Sequence, residues 1–166
     1  MAKTSVTSTG PLSDFEIRWV FGNITKSLRQ KIVTFWLQEG ALANPDEAWR
    51  RSWEVACVLH NVESDSIAGA CTVAIRLDDQ GVSYGFVRMF IRPASRLAGL
   101  NVRLMEKTIE GFKGLARENG APGRLVATVE NRKLERRAVQ KILAKLGFTQ
   151  AGRTVDGELV IQRSLR

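Results

Sequence analysis

The sequence predicts a mixed α/β (α+β) fold built on a mostly antiparallel central sheet of six to seven strands, and three observations carry that expectation. Residues 86–91 are apolar except for Arg88 and rich in aromatic and β-branched types, and Pro93 closes the run. Apolar positions at helical spacing follow at Leu97, Leu100, Leu104, Met105, Ile109, Phe112 and Leu115, so a strand, a turn and a helix come in immediate succession. The second observation is a pair of apolar runs, 55–62 and 67–77, separated by Glu63-Ser64-Asp65-Ser66, the pattern of an antiparallel hairpin. The third is a hydrophobic content of 44% in 166 residues, enough for a core.

In chain order, residues 1–13 are rich in Ser, Thr and Gly and read as a disordered leader ahead of one domain over 14–166. Residues 14–21 alternate Phe15, Ile17 and Trp19 against Glu16 and Arg18, a half-buried first strand. Asn23 and Thr25 are candidate caps for a helix with Leu28, Ile32, Phe35 and Trp36 on its apolar face, ended by Gly40. Asn44-Pro45-Asp46-Glu47 opens a second, shorter helix that carries Trp49 and leads to Trp53. The hairpin comes next. If it is centred on Ser64, Cys57 and Cys71 lie opposite each other, as buried thiols rather than a disulfide.

Asp78-Asp79-Gln80-Gly81 then turns the chain into the central strand, and Asn119-Gly120 stops the central helix. A strand over 125–130 leads to a helix with Leu134, Ala138, Ile142, Leu143 and Leu146 on one face, stopped by Gly147. Two strands joined by Asp156-Gly157 finish the chain.

Charge is unevenly spread along the sequence. Residues 1–87 hold 8 Lys/Arg against 10 Asp/Glu, and residues 88–166 hold 17 against 7, so the whole excess of +8 comes from the second half. That excess suits a ligand with several phosphates, and equally an RNA or an acidic protein. No apolar run approaches the ~20 residues of a membrane span and no secretory signal opens the chain, so a cytoplasmic protein is expected. The single histidine argues against a His-based metal cluster.

The helix start after the central strand is the most informative stretch. A helix N-terminus offers unpaired N–H groups and a positive dipole end, a combination that binds phosphate. The succession of strand, Ile91-Arg92-Pro93 and then Arg96-Leu97-Ala98-Gly99-Leu100-Asn101 resembles the pyrophosphate loop of the GNAT N-acetyltransferase superfamily. There the pattern is Val-x-Pro followed by Arg/Gln-x-x-Gly-x-Gly/Ala. Asn101 departs from it, standing where the family has a smaller residue. The order of elements over residues 14–165 and Leu146-Gly147-Phe148 extend the resemblance.

The resemblance implies a GNAT fold with helices on both faces of the sheet and a parallel fourth and fifth strand that splay apart around a pantetheine arm. It implies that the backbone of Met89, Phe90 and Ile91 holds that arm. Arg96, Leu97, Ala98, Gly99, Leu100, Asn101 and Val102 would hold the diphosphate of acetyl-CoA or another acyl-CoA, with no metal. Asn131 would bond pantetheine or substrate, and a helix cap is its alternative. The implied walls of the acceptor side are the first two helices, with Phe35, Trp36, Trp49 and Trp53; core packing is the competing reading.

The implied reaction is direct attack of a primary amine on the thioester in a ternary complex. The amine is that of a small molecule or protein, and the chain is a monomer or homodimer. The acceptor must lose a proton first, and the candidate bases are Glu130, Tyr84, Glu54 and His60. Each has an ordinary alternative: Glu130 an ion pair with Arg132, Arg136 or Arg137, Glu54 a solvated strand end, His60 a satisfied core histidine. The tyrosine that protonates the leaving thiolate in many members falls at Leu143, so that acid is missing. Two other functions stay open: an acyl-CoA-binding module without catalysis, and a toxin-like enzyme acting on aminoacyl-tRNA, against which stands the lack of aromatic–basic interleaving in the sequence.

Overall fold

The computed structural model describes residues 12–166. Of the expected leader, residues 1–11 lie outside the described residues, while 12 and 13 belong to a single 3-10 turn. The strands are β1 (Phe15–Trp19), β2 (Val55–Asn61), β3 (Ser66–Leu77), β4 (Ser83–Ile91), β5 (Arg124–Val129), β6 (Thr149–Arg153) and β7 (Leu159–Ser164). The helices are α1 (Lys26–Gln38), α2 (Pro45–Ser52), α3 (Leu100–Leu115), α4 (Asn131–Leu134) and α5 (Arg137–Lys145). The strands form one sheet in the order β1-β2-β3-β4-β5-β7-β6. Of the recorded pairings, only that of β4 with β5 is parallel.

Contacts divide the described chain into two units, one running up to Thr72 and including Met89–Lys107, the other comprising Val73–Arg88 and Thr108–Arg166. In the first, α1 starts where Thr25 accepts a hydrogen bond from the Leu28 amide at 3.1 Å, and α2 where Asn44 accepts from Glu47 at 3.0 Å. These short polar side chains satisfy amides that the first helical turn leaves unpaired. The core gathers Ile32, Val33, Phe35, Trp36, Ala48, Val55, Val58 and Ala70, with Phe90 and Trp49 packed against it. Phe35 and Trp36 are therefore core residues, whereas Trp53 is 62% exposed with the Arg29 guanidinium 3.6 Å from its ring centroid.

The hairpin of β2 and β3 has Cys57 opposite Cys71, both fully buried. Symmetry about Ser64 holds there and slips between Leu59 and His60, where a bulge shifts the register. Gly69 sits in β3 where a Cβ would stand 2.8 Å from the Phe90 carbonyl oxygen and 3.2 Å from Ile91 Cα. The close approach of β3 to the end of β4 requires glycine at this position.

In the second unit β4 and β5 pair through Gly85 with Leu125 and Phe86 with Val126, and Val87 and Arg88 lie beyond that register. A Cβ on Gly85 would come within 2.6 Å of Val73 Cγ1, so this strand too is held close by a missing side chain. The expected single helix after β5 is two, α4 and α5, interrupted at Glu135-Arg136. No residue of α5 is fully buried. Val139, Ile142 and Leu143 on its apolar stripe are half-buried, and Leu146 at its end is buried.

The turn between β3 and β4 is built on Asp78, whose carboxylate accepts from the Gln80 and Val82 amides and pairs with Arg124 at 3.4 Å. Chiefly the Val82 hydrogen bond, then those from Gln80 and Arg124, keep this carboxyl below its ordinary 3.8. A depressed folded-state value means the stabilisation is complete above 3.8 and is lost as pH falls through the lowered value. Asp78→Asn is expected to lower the melting temperature at neutral pH and to flatten its decline below pH 3.8. An unchanged acid limb would rule the turn out as a source of acid sensitivity.

Candidate active site

The chain leaves β4 at Ile91, passes through a 3-10 turn at Pro93–Ser95, and enters α3 at Leu100. Ser95 is buried and its amide donates to the Arg92 carbonyl at 2.8 Å, while the Arg92 guanidinium donates back to Ser95 Oγ. The Leu97 amide is taken by Ser95 and the Leu100 amide by Leu97. Those of Ala98, Gly99 and Asn101 have no acceptor among the described residues.

Gly99 has φ +90°, and a Cβ there would meet nothing within 4 Å. The left-handed backbone turns the chain into the helix, and the space in front of it is open. Three unpaired amides at a helix start can bind a phosphate group. A diphosphate therefore fits these residues.

Two features of the corner were not legible in the sequence. Arg96 does not project outward alone: its Nε donates to the Ile91 carbonyl at 2.7 Å and its guanidinium lies 5.4 Å from the Phe90 ring centroid. A strand's last carbonyl needs a donor, and this arginine supplies one. Asn101 turns its Oδ1 onto the amide of the next residue, Val102, at 2.9 Å. The side chain thus occupies the Val102 amide, which leaves it out of the unpaired set. Asparagine's habit of bonding local backbone was the available signal.

Met89–Lys107 brings all the expected diphosphate contacts, and the Met89, Phe90 and Ile91 backbone, into the first unit. Glu54 is in that unit as well, half-buried in the turn from α2 to β2. Tyr84, Glu130 and Asn131 belong to the second unit. Tyr84 lies under Arg124, whose guanidinium is 5.1 Å from its ring centroid. Glu130 is exposed and makes no ion pair among the described residues, so the expected bond to Arg132, Arg136 or Arg137 is not formed. It is Glu130 that stands at the N-cap of α4, with Asn131 as first helical residue, which removes the cap reading of Asn131.

Arg88 lies against Phe86, 5.0 Å from its ring centroid. His60 is bonded through Nε2 to Asp65 at 2.9 Å, while its buried Nδ1 has no partner, so it is not the fully satisfied core histidine of the sequence reading. No helix among the described residues is long and apolar enough to cross a membrane. Among the same residues no group of three or more His, Cys, Asp or Glu is arranged to hold a metal ion.

No family model and no curated protein sequence matches the chain. Solved structures do match. An acetyltransferase of Salmonella typhimurium with its cofactor acetyl-CoA superposes with a TM-score of 0.64 at 17% identity, over 92% of this chain and 95% of that one. A GNAT-family acetyltransferase of Streptococcus pneumoniae gives 0.62 at 17% identity, over 90% and 99%. The ribosomal-protein-S5-alanine acetyltransferase of Vibrio fischeri gives 0.63 at 15% identity, over 91% and 93%. The chain has the GNAT fold.

Proposed function

We propose that this protein is an acyl-CoA-dependent N-acyltransferase that moves an acetyl group from acetyl-CoA to a primary amine. The observation that carries the reading is the set of unpaired amides of Ala98, Gly99 and Asn101 at the start of α3, beside a Gly99 whose would-be Cβ meets nothing within 4 Å. When bound, the coenzyme supplies an activated thioester. The loop from Arg96 to Val102 grips its diphosphate, and the backbone of Met89, Phe90 and Ile91 runs beside its peptide-like arm. Such an arm pairs with a strand in the manner of an added peptide.

The acceptor reaches the thioester as a neutral amine, since an alkylammonium with a pKa near ~10.4 has no lone pair to attack with. The candidates for taking that proton are Glu130 and Glu54, neither of which has an ionic partner among the described residues, and Tyr84, which is engaged by Arg124. Water protonates the departing thiolate, because Leu143 replaces the usual tyrosine. We place the reaction in the cytoplasm.

The test is stabilisation by CoA together with thiol release from acetyl-CoA over a panel of amines. Stabilisation with turnover is expected, and Glu130→Gln is expected to lower kcat about 100-fold, the usual contribution of a general base. Stabilisation without turnover on any amine would favour a binding module, the reading that Leu143 supports. No stabilisation by CoA would end both.

A further inference from the structure

A cavity of about 610 Å³ lies along α1 within the first unit, floored by Leu28, Phe35, Val58 and Ile67. Its charged lining is unusual in what is left unpaired. Arg18 is neutralised by Glu16 at 2.7 Å, and Asp65 is bonded to His60 at 2.9 Å. Lys31, Arg92 and Glu39 line the same cavity without an ionic partner among the described residues. The guanidinium of Arg92 rests on the neutral Ser95 hydroxyl.

Lys31 and Glu39 cannot readily neutralise each other. They are eight positions apart on α1, about 12 Å along the helix axis at 1.5 Å per residue. Glu39 also occupies the C-cap of α1, the negative end of the helix dipole, where a carboxylate is disfavoured. Helix stability therefore does not account for it.

We propose that this cavity binds a short peptide with charged termini, two or three residues long. Its carboxylate meets Lys31 and Arg92, and its ammonium meets Glu39. An extended chain advances about 3.3 Å per residue, so two or three residues span the distance left between the opposed charges. A single amino acid, with both charges on one carbon, is too short. The volume is that of an ordinary small-ligand site, where about 300–1,000 Å³ is typical. This site does not depend on acyl transfer, and binding is read without acyl-CoA.

The probe is Ala-Ala-Ala, titrated calorimetrically against the full-length protein beside N-acetylated Ala-Ala-Ala, C-amidated Ala-Ala-Ala and free alanine. The free tripeptide is expected to bind, and each blocked form to bind about fivefold more weakly, a charge-assisted bond discounted for solvent exposure. Lys31→Glu and Glu39→Lys are expected to weaken binding by a similar factor. Both positions tolerate the change, and Glu39→Lys is expected to raise the melting temperature by removing a charge unfavourable to the dipole. The proposal is overturned if the tripeptide does not bind, if the blocked forms or the two variants bind equally well, or if free alanine binds as tightly.

Discussion

Gly69→Ala is expected to destabilise the protein by about 3 kcal/mol and to abolish CoA binding. The added carbon would stand 2.8 Å from the Phe90 carbonyl oxygen, and the next obstacles include Ile91 Cα. Overpacking costs about 1–3 kcal/mol when side chains can shift. Here the obstacle is main chain, so the upper end applies. The displaced segment is the end of β4 that leads into the proposed diphosphate loop. Urea unfolding measures the first effect and CoA-induced thermal stabilisation the second.

An internal comparison exists in the same fold. Gly114, on the exposed side of α3, has nothing within 4 Å of its would-be Cβ. There the same substitution should stabilise by up to about 1 kcal/mol, the difference in helix propensity. If both variants unfold alike, close approach is not the reason for Gly69.

Asn101→Ala is expected to tighten CoA binding by up to about tenfold. The Oδ1 contact with the Val102 amide must be given up before a phosphate oxygen can take its place, and such a bond is worth about 0.5–1.5 kcal/mol. Alanine removes the competitor and keeps a good helix former at the second position of α3. Asn101→Asp keeps the acceptor and adds a negative charge where a diphosphate arrives, so it should weaken binding. Isothermal titration with CoA reads both signs. A weaker complex for the alanine variant would mean that the amide is not part of the binding surface.

Local chemistry made much of this fold legible in advance. Thr25 and Asn44 are caps because a short polar side chain before an apolar helical repeat has few better places to go. The pairing of Cys57 with Cys71 followed from the centre of a four-residue polar interruption. The loop after β4 was legible because glycine spacing and a strand-to-helix order have a local cause.

What escaped the sequence depends on competition between neighbours. Arg96 was available to any acceptor, and only the geometry after the 3-10 turn brings it to Ile91. Asn101 could cap, hang in solvent or turn on its own strand of amides, and nothing in its spacing chooses. The break at Glu135-Arg136 goes against a continuous apolar stripe, because periodicity states which face is apolar but not where the helix is interrupted. His60 alternates like a core residue, yet the bulge beside it and Asp65 in the following turn give it a polar partner.

The pair of sealed sulfurs in the β2–β3 hairpin has a practical outcome. Because Cys57 and Cys71 are both 0% exposed, a thiol-reactive chromophore finds nothing to label on the native chain. Any colour that develops during turnover then counts coenzyme alone. Denaturation adds two equivalents per chain, so the same reagent reports how much of a preparation is folded.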